Sequence, residues 1–115
     1  MLCVAMRREA FPITLVNGDV PSEGRLLVLI NGTYGSVCDD FFGFEEAQVA
    51  CRQLNYTGAI RPAYFGEFGS GAASEPIFFD NVICTGNENY LYECRYTTNH
   101  NCIHFEDVGV VCDSK

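Results

Sequence analysis

The sequence predicts a small α+β domain stapled by disulfides. Three observations lead there. There are seven cysteines in 115 residues. Several short runs rich in Val, Ile and Leu are bounded by Gly, Asn or Pro, as strands are. One stretch places its apolar residues at helical spacing. A chain of this length builds one domain around a modest core. With 48% apolar residues it is not a disordered chain. No run of about 18 apolar residues occurs, so no segment is expected to insert into a membrane.

The opening MLCVAMRREAF does not have the form of a secretory signal, because its apolar part is short and its arginines follow that part. Residues 1–12 therefore read as an N-terminal extension or a piece of a longer protein, with the domain at 13–112 and a short tail at 113–115. Ile13-Thr14-Leu15-Val16 reads as a strand ended by Asn17-Gly18. Arg25 to Ile30 reads as a second strand. Asn31-Gly32 then marks a tight turn, since both residues tolerate positive φ, and Tyr34 to Cys38 returns as the third strand. Phe44 to Leu54 reads as a helix, with Phe44, Ala47, Cys51 and Leu54 on one buried face and Glu45 and Glu46 suited to the first turn.

Arg61 to Glu75 is rich in Gly, Ala and Ser and reads as a loop. Its glycines do not match a phosphate-binding loop, because no Lys-Ser/Thr follows them. A strand is expected from Ile77 toward Cys84, a short helical turn within Glu88 to Cys94, and a last strand over Val108 to Cys112.

Zinc sites bring cysteines in close Cys-x2-4-Cys pairs. Here Cys38, Cys51, Cys84, Cys94, Cys102 and Cys112 are at least eight residues apart, which favours disulfides and an extracellular setting. Six cysteines can pair in about fifteen ways. The seventh, Cys3, is left free or intermolecular. Two glycosylation sequons, at Asn31 and Asn55, agree with secretion or an ectodomain. Between Ile13 and Cys112 stand four arginines, no lysine and thirteen acidic residues. That balance excludes nucleic acid as a specific partner and favours cations or basic partners.

The ordered motifs GRLLVLINGTYGSVCDD, AQVACRQLNY, IFFDNVICTGNENYLYEC and HNCIHFEDVGVVC carry a family resemblance. Together they resemble a scavenger receptor cysteine-rich domain of the six-cysteine branch. The resemblance implies a curved, antiparallel-rich β-sheet cradling one α-helix, with a short second helix. It also implies the bridges Cys38–Cys102, Cys51–Cys112 and Cys84–Cys94. Members of the family usually carry several tryptophans. This chain has none, and Tyr34, Phe41, Phe42 and Tyr92 stand in those places. The loop from Phe65 to Pro76 is longer than is usual in the family.

A bridge between Cys38 and Cys102 would hold their Cα atoms about 5.5–6 Å apart. It would carry Asn101 and Glu106 toward Asp39 and Asp40. Hard carboxylate oxygens in such a cluster suit Ca2+ or Mg2+. The resemblance implies two cation sites: Asp39, Asp40 and Glu106, and then Asp80, Asn81 and Asn101. Asn81 stands where many relatives have Asp, which should weaken the second site. Affinity near millimolar calcium is expected for such modules.

Catalysis is not expected. The core cysteines would be oxidised, no serine elbow is present, and Asp40 with Glu106 lacks a substrate cleft. His100 and His104 read as surface or hydrogen-bonded histidines rather than zinc ligands. Two functions follow. One is an extracellular recognition module that binds protein or polyanionic ligands through cation-bridged acidic residues. The other is a non-catalytic structural domain of a mosaic protein such as a protease or oxidase.

Overall fold

The computed structural model describes residues 10–114. Cys3 lies outside the described residues. The strands are β1 (Ile13–Val16), β2 (Glu23–Ile30), β3 (Thr33–Val37), β4 (Ala59–Ala63), β5 (Ile77–Ile83), β6 (Arg95–Thr97) and β7 (Gly109–Cys112). Helix α1 spans Phe44–Gln53. Two single 3-10 turns cover Leu91–Glu93 and His104–Glu106.

Strand β2 is the hub of a curled mixed sheet. It pairs antiparallel with β1 through Arg25–Val28, with β3 through Leu27–Ile30 and with β7 through Glu23–Arg25. The full order is β4-β7-β2-β3-β5-β6. All pairings are antiparallel except β3 with β5, which run parallel. The hairpin turn falls at Asn31-Gly32, both at positive φ, as that dipeptide predicts. Gly35 in β3 lies under the ring of Phe78, where a Cβ would come within 2.3 Å of a ring carbon. Only glycine admits that approach.

Helix α1 packs on β4 and β7 and closes the core with Leu26, Val28, Val37, Phe42, Val49 and Val110. Three bridges staple it: Cys38–Cys102, Cys51–Cys112 and Cys84–Cys94, with Cα separations of 6.3, 5.5 and 4.8 Å. These are the pairs that the resemblance implies. Cys51–Cys112 ties the buried face of α1 to β7. The core also reaches back beyond Ile13. Phe11 is buried with its ring centroid 5.1 Å from that of Phe79, and the carbonyl of Pro12 accepts from the amide of Leu29.

Several expectations need correction. Phe44 is half exposed, at 50%, and does not lie on the buried face of α1. The buried face is Glu46, Ala47, Val49, Ala50 and Cys51. Helical periodicity weighted Phe44 for its apolarity, but the first residue of a helix projects beyond the sheet it packs on. Residues 61–63 belong to β4, not to a loop; Pro62 there sits on an edge strand, where no amide is needed from it. The short second helix is a single 3-10 turn, and β6 carries no strong hydrophobic pattern. Of the aromatics in place of tryptophan, Phe42 is buried, whereas Tyr34 and Phe41 are exposed.

Glu46 is a buried acid with a structural task. One carboxylate oxygen accepts from the Gly43 amide at the start of α1 (2.7 Å) and the other from the Cys84 amide (2.8 Å). It therefore caps the helix and joins it to the end of β5. Glu46→Ala strands both donors and is expected to lower stability by about 1–3 kcal/mol in urea denaturation. A loss below about 0.5 kcal/mol would show the two amides to be satisfied otherwise.

Candidate functional site

The site forms at the end of β3, beside the middle of β5 and just ahead of β7. Val37, the last residue of β3, pairs with Phe79 of the parallel β5, which runs on in the sheet to Ile83. The Cys38 amide donates to the Phe79 carbonyl at 2.8 Å. Asp39-Asp40 therefore emerges beside Asp80. On the other side Cys38 bridges Asp107, just ahead of β7, and the Asp39 amide donates to the Glu106 carbonyl at 2.8 Å. The Cys38–Cys102 bridge closes the assembly from below.

The result is a close pair of carboxylates, Asp40 and Glu106, with Asp39 and Asp80 near enough to feel the charge. Oxygens of Asp40 and Glu106 and the two bridge sulfurs all lie within 4.8 Å of one another. Asp80, only 3% exposed, lies near enough for the charge of Asp40 to act on it. Ionised carboxylates are acceptors only, so acids gathered this closely repel one another unless a proton or a cation stands between them. Burial, then the charges of Glu106, Asp40 and Asp80, hold the Asp39 carboxyl above its usual range. Burial and the neighbouring Asp40 also raise Asp80, against the lowering effects of the Asn81 amide and His100.

The two predicted residue sets are thus neighbours, since the charge of Asp40 acts on Asp80. Asn81, at φ 53°, donates its own amide to Asp80 Oδ1 at 2.8 Å. Asn101 is exposed beside Cys102 and makes no hydrogen bond to Asp80 or Asn81 among the described residues. Asn31 and Asn55 are both exposed in turns at positive φ. His100 Nδ1 accepts from the Cys102 amide at 3.1 Å, which shapes the loop.

Sequence reasoning missed a second polar cluster behind the first. Glu106 ends the 3-10 turn and Asp107 is the first extended residue after it, and the two side chains diverge: Glu106 faces the carboxylates while Asp107 turns inward. Asp107 is buried. It accepts from Ser36 Oγ (2.9 Å), the Gly71 amide (2.8 Å) and His104 Nδ1 (2.8 Å), with Arg25 at 3.7 Å. Arg25 also pairs with Glu75 at 2.8 Å, and His104 Nε2 lies 2.8 Å from the Glu75 carbonyl. This network fastens the long Phe65–Pro76 loop to the sheet. Both ring nitrogens of His104 face acceptors, which suits the imidazolium. Burial lowers its pKa, but the bonds to Asp107 and Glu75 outweigh that, and the net shift is upward. The spacing His104-x-x-Asp107 was the available signal.

A profile of the scavenger receptor cysteine-rich domain matches residues 16–113. The chain belongs to the scavenger receptor cysteine-rich family. Lysyl oxidase homolog 4 of Bos taurus is 49% identical over 98 residues, which cover 84% of this chain and 13% of that protein. This domain therefore spans a small part of a larger relative. The third scavenger receptor cysteine-rich domain of murine neurotrypsin superposes with a TM-score of 0.83 at 47% identity, over 90% of this chain and 97% of that one. The dimeric form of the same domain from mouse MARCO gives 0.70 at 33% identity, over 98% and 100%. The three bridges are those of the six-cysteine type. Domains of this family are extracellular, non-catalytic recognition modules, and no helix among the described residues is long and apolar enough to cross a membrane.

Proposed function

We propose that the domain recognises extracellular protein or polyanionic ligands through a divalent cation held by Asp39, Asp40, Asp80 and Glu106. The observation that supports this reading is the gathering of Asp40 and Glu106 oxygens within 4.8 Å beside the bridge sulfurs, with Asp39 and the buried Asp80 near enough to feel the charge. The donor set fits Ca2+ or Mg2+. It offers hard carboxylate oxygens, and its two sulfurs are tied in a disulfide and cannot serve zinc as thiolates. Asn81 and Asn101 are neighbours that could complete coordination. A bound cation would supply an open position for a ligand carboxylate, sulfate or phosphate. The Asn31 sequon lies at the far end of β3, roughly 20 Å away by strand length, so a glycan there leaves the cluster open.

A cation that binds only the folded state raises its melting temperature. With a Kd of about 1 mM, about 10 mM Ca2+ stabilises by about 1.4 kcal/mol. Without cation, Asp39→Asn should raise Tm, because it removes a repelled charge, and it should blunt the Ca2+ response. The raised Asp39 and Asp80 carboxyls set the pH window. Their folded pKa values exceed the unfolded ones, so in EDTA their contribution to stability improves as pH falls through the raised values. The Ca2+ increment shrinks over the same window. Dextran sulfate binding should need Ca2+, and should vanish in EDTA and in the Asp39→Ala, Asp40→Ala double variant. Undiminished binding in both cases would overturn the reading.

A further inference from the structure

Beside the carboxylates lies a groove lined by Asp39, Asp40, Phe41, Phe42, Gly43, Tyr64 and Phe65. Its two rims carry phenylalanines that a folding chain would be expected to hide. Phe41 is 73% exposed and Phe65 is 72% exposed. Both are held at positive φ, 62° and 59°, which bulky side chains rarely adopt. Each sits in a turn that fixes it outward. The Phe42 amide donates to the Asp39 carbonyl, and the Glu67 amide donates to the Tyr64 carbonyl. The two turns are joined across the groove, because the Tyr64 hydroxyl donates to the Phe42 carbonyl. Phe105, itself exposed, extends the aromatic surface, its ring centroid 6.0 Å from that of Phe65.

We infer that this groove docks a protein segment presenting an arginine between apolar residues. Charge complementarity selects that occupant. The groove lining contains two carboxylates and no basic side chain, and Glu106 and Asp80 lie next to it. A guanidinium can pair with carboxylates at its edge while its face stacks on an aromatic ring. The apolar neighbours of the arginine would meet Phe41, Phe65 and Phe105. A single divalent ion leaves the four carboxylates still net negative, so the groove keeps its preference when the ion is bound. The inference rests on the reading of this face as a recognition surface, but not on the cation bridge.

The test is an amide NMR titration of the 15N-labelled domain with three capped peptides, Leu-Arg-Leu, Ser-Arg-Ser and Leu-Glu-Leu, each in EDTA and in Ca2+. Leu-Arg-Leu should shift the amides of Phe41, Phe42, Gly43, Tyr64 and Phe65. Ser-Arg-Ser should bind about fivefold more weakly, and Leu-Glu-Leu should leave the groove unmoved. Phe41→Gly and Phe65→Gly each delete a ring while easing the positive φ, so both should fold, and each should weaken Leu-Arg-Leu by about fivefold or more. Binding in EDTA supports this inference even where Ca2+ fails to bind, which would overturn only the cation bridge. Equal binding of Leu-Glu-Leu, shifts elsewhere, or unchanged affinity in both glycine variants would overturn it. So would ring-dependent self-association in sedimentation, or binding of phosphatidylcholine vesicles, with no response to Leu-Arg-Leu.

Discussion

Asp107→Ala is expected to lower the stability of the domain by about 3–5 kcal/mol, the usual result of removing one partner from a buried charged network. The substitution strips an acceptor from Ser36, Gly71, His104 and Arg25 together. It also frees the long loop, because Gly71 and Glu75 are held through the same network. Denaturant unfolding measures the loss, and a change below about 1 kcal/mol would show the network to be of little consequence. Its pH dependence adds a second readout. His104 has a raised folded pKa, so the stability it contributes is complete below the ordinary imidazole value of 6.5 and is lost as pH rises through the raised value. Wild type should weaken over that interval, and the Asp107→Ala variant should show a flatter slope.

Cys51→Ala with Cys112→Ala is expected to cost about 4 kcal/mol, from the chain entropy of a loop that joins residues 61 positions apart. A domain of this size has about 5–15 kcal/mol in total, so the variant approaches the unfolding threshold. Loss of Cys84–Cys94 should be milder, about 3 kcal/mol, because its ends are 10 positions apart. The Cys51–Cys112 bridge also fastens the buried face of α1 to β7, so its loss should expose helix amides to hydrogen exchange ahead of β2 and β3. Equal unfolding midpoints for the two cysteine-pair variants would contradict this ordering.

Much of the fold is local and therefore readable. Asn31-Gly32 needs no tertiary information to make a turn, and β1, β2, β5 and β7 are apolar runs with clear ends. What eluded reading was set by distant partners. Strand β4 is short, carries a proline and is stabilised by pairing with β7. The three Arg95–Thr97 residues of β6 become a strand because Asp80 and Ile83 offer them partners. Phe44 looked like a core residue because periodicity counts apolarity, not position on the sheet.

The candidate site was half legible. A bridge from Cys38 to Cys102 suffices to bring Glu106 toward Asp39 and Asp40. Nothing local shows that Asp80 neighbours Asp40, since that placement depends on the parallel register of β3 and β5. The neighbours Glu106 and Asp107 read alike in sequence. The change from 3-10 turn to extended chain between them sends one to the carboxylate cluster and the other into the core.

One cation site built from these carboxylates would have a direct spectroscopic signature. A Ca2+ titration followed by backbone amide NMR addresses it directly, with the Asp39→Asn, Asp40→Asn double variant alongside. Saturable shifts are expected at Asp39, Asp40, Asp80 and Glu106 in wild type, with a midpoint of about 1 mM or below, and none in the variant. Shifts confined to other acidic residues, or a variant that responds like wild type, would contradict it.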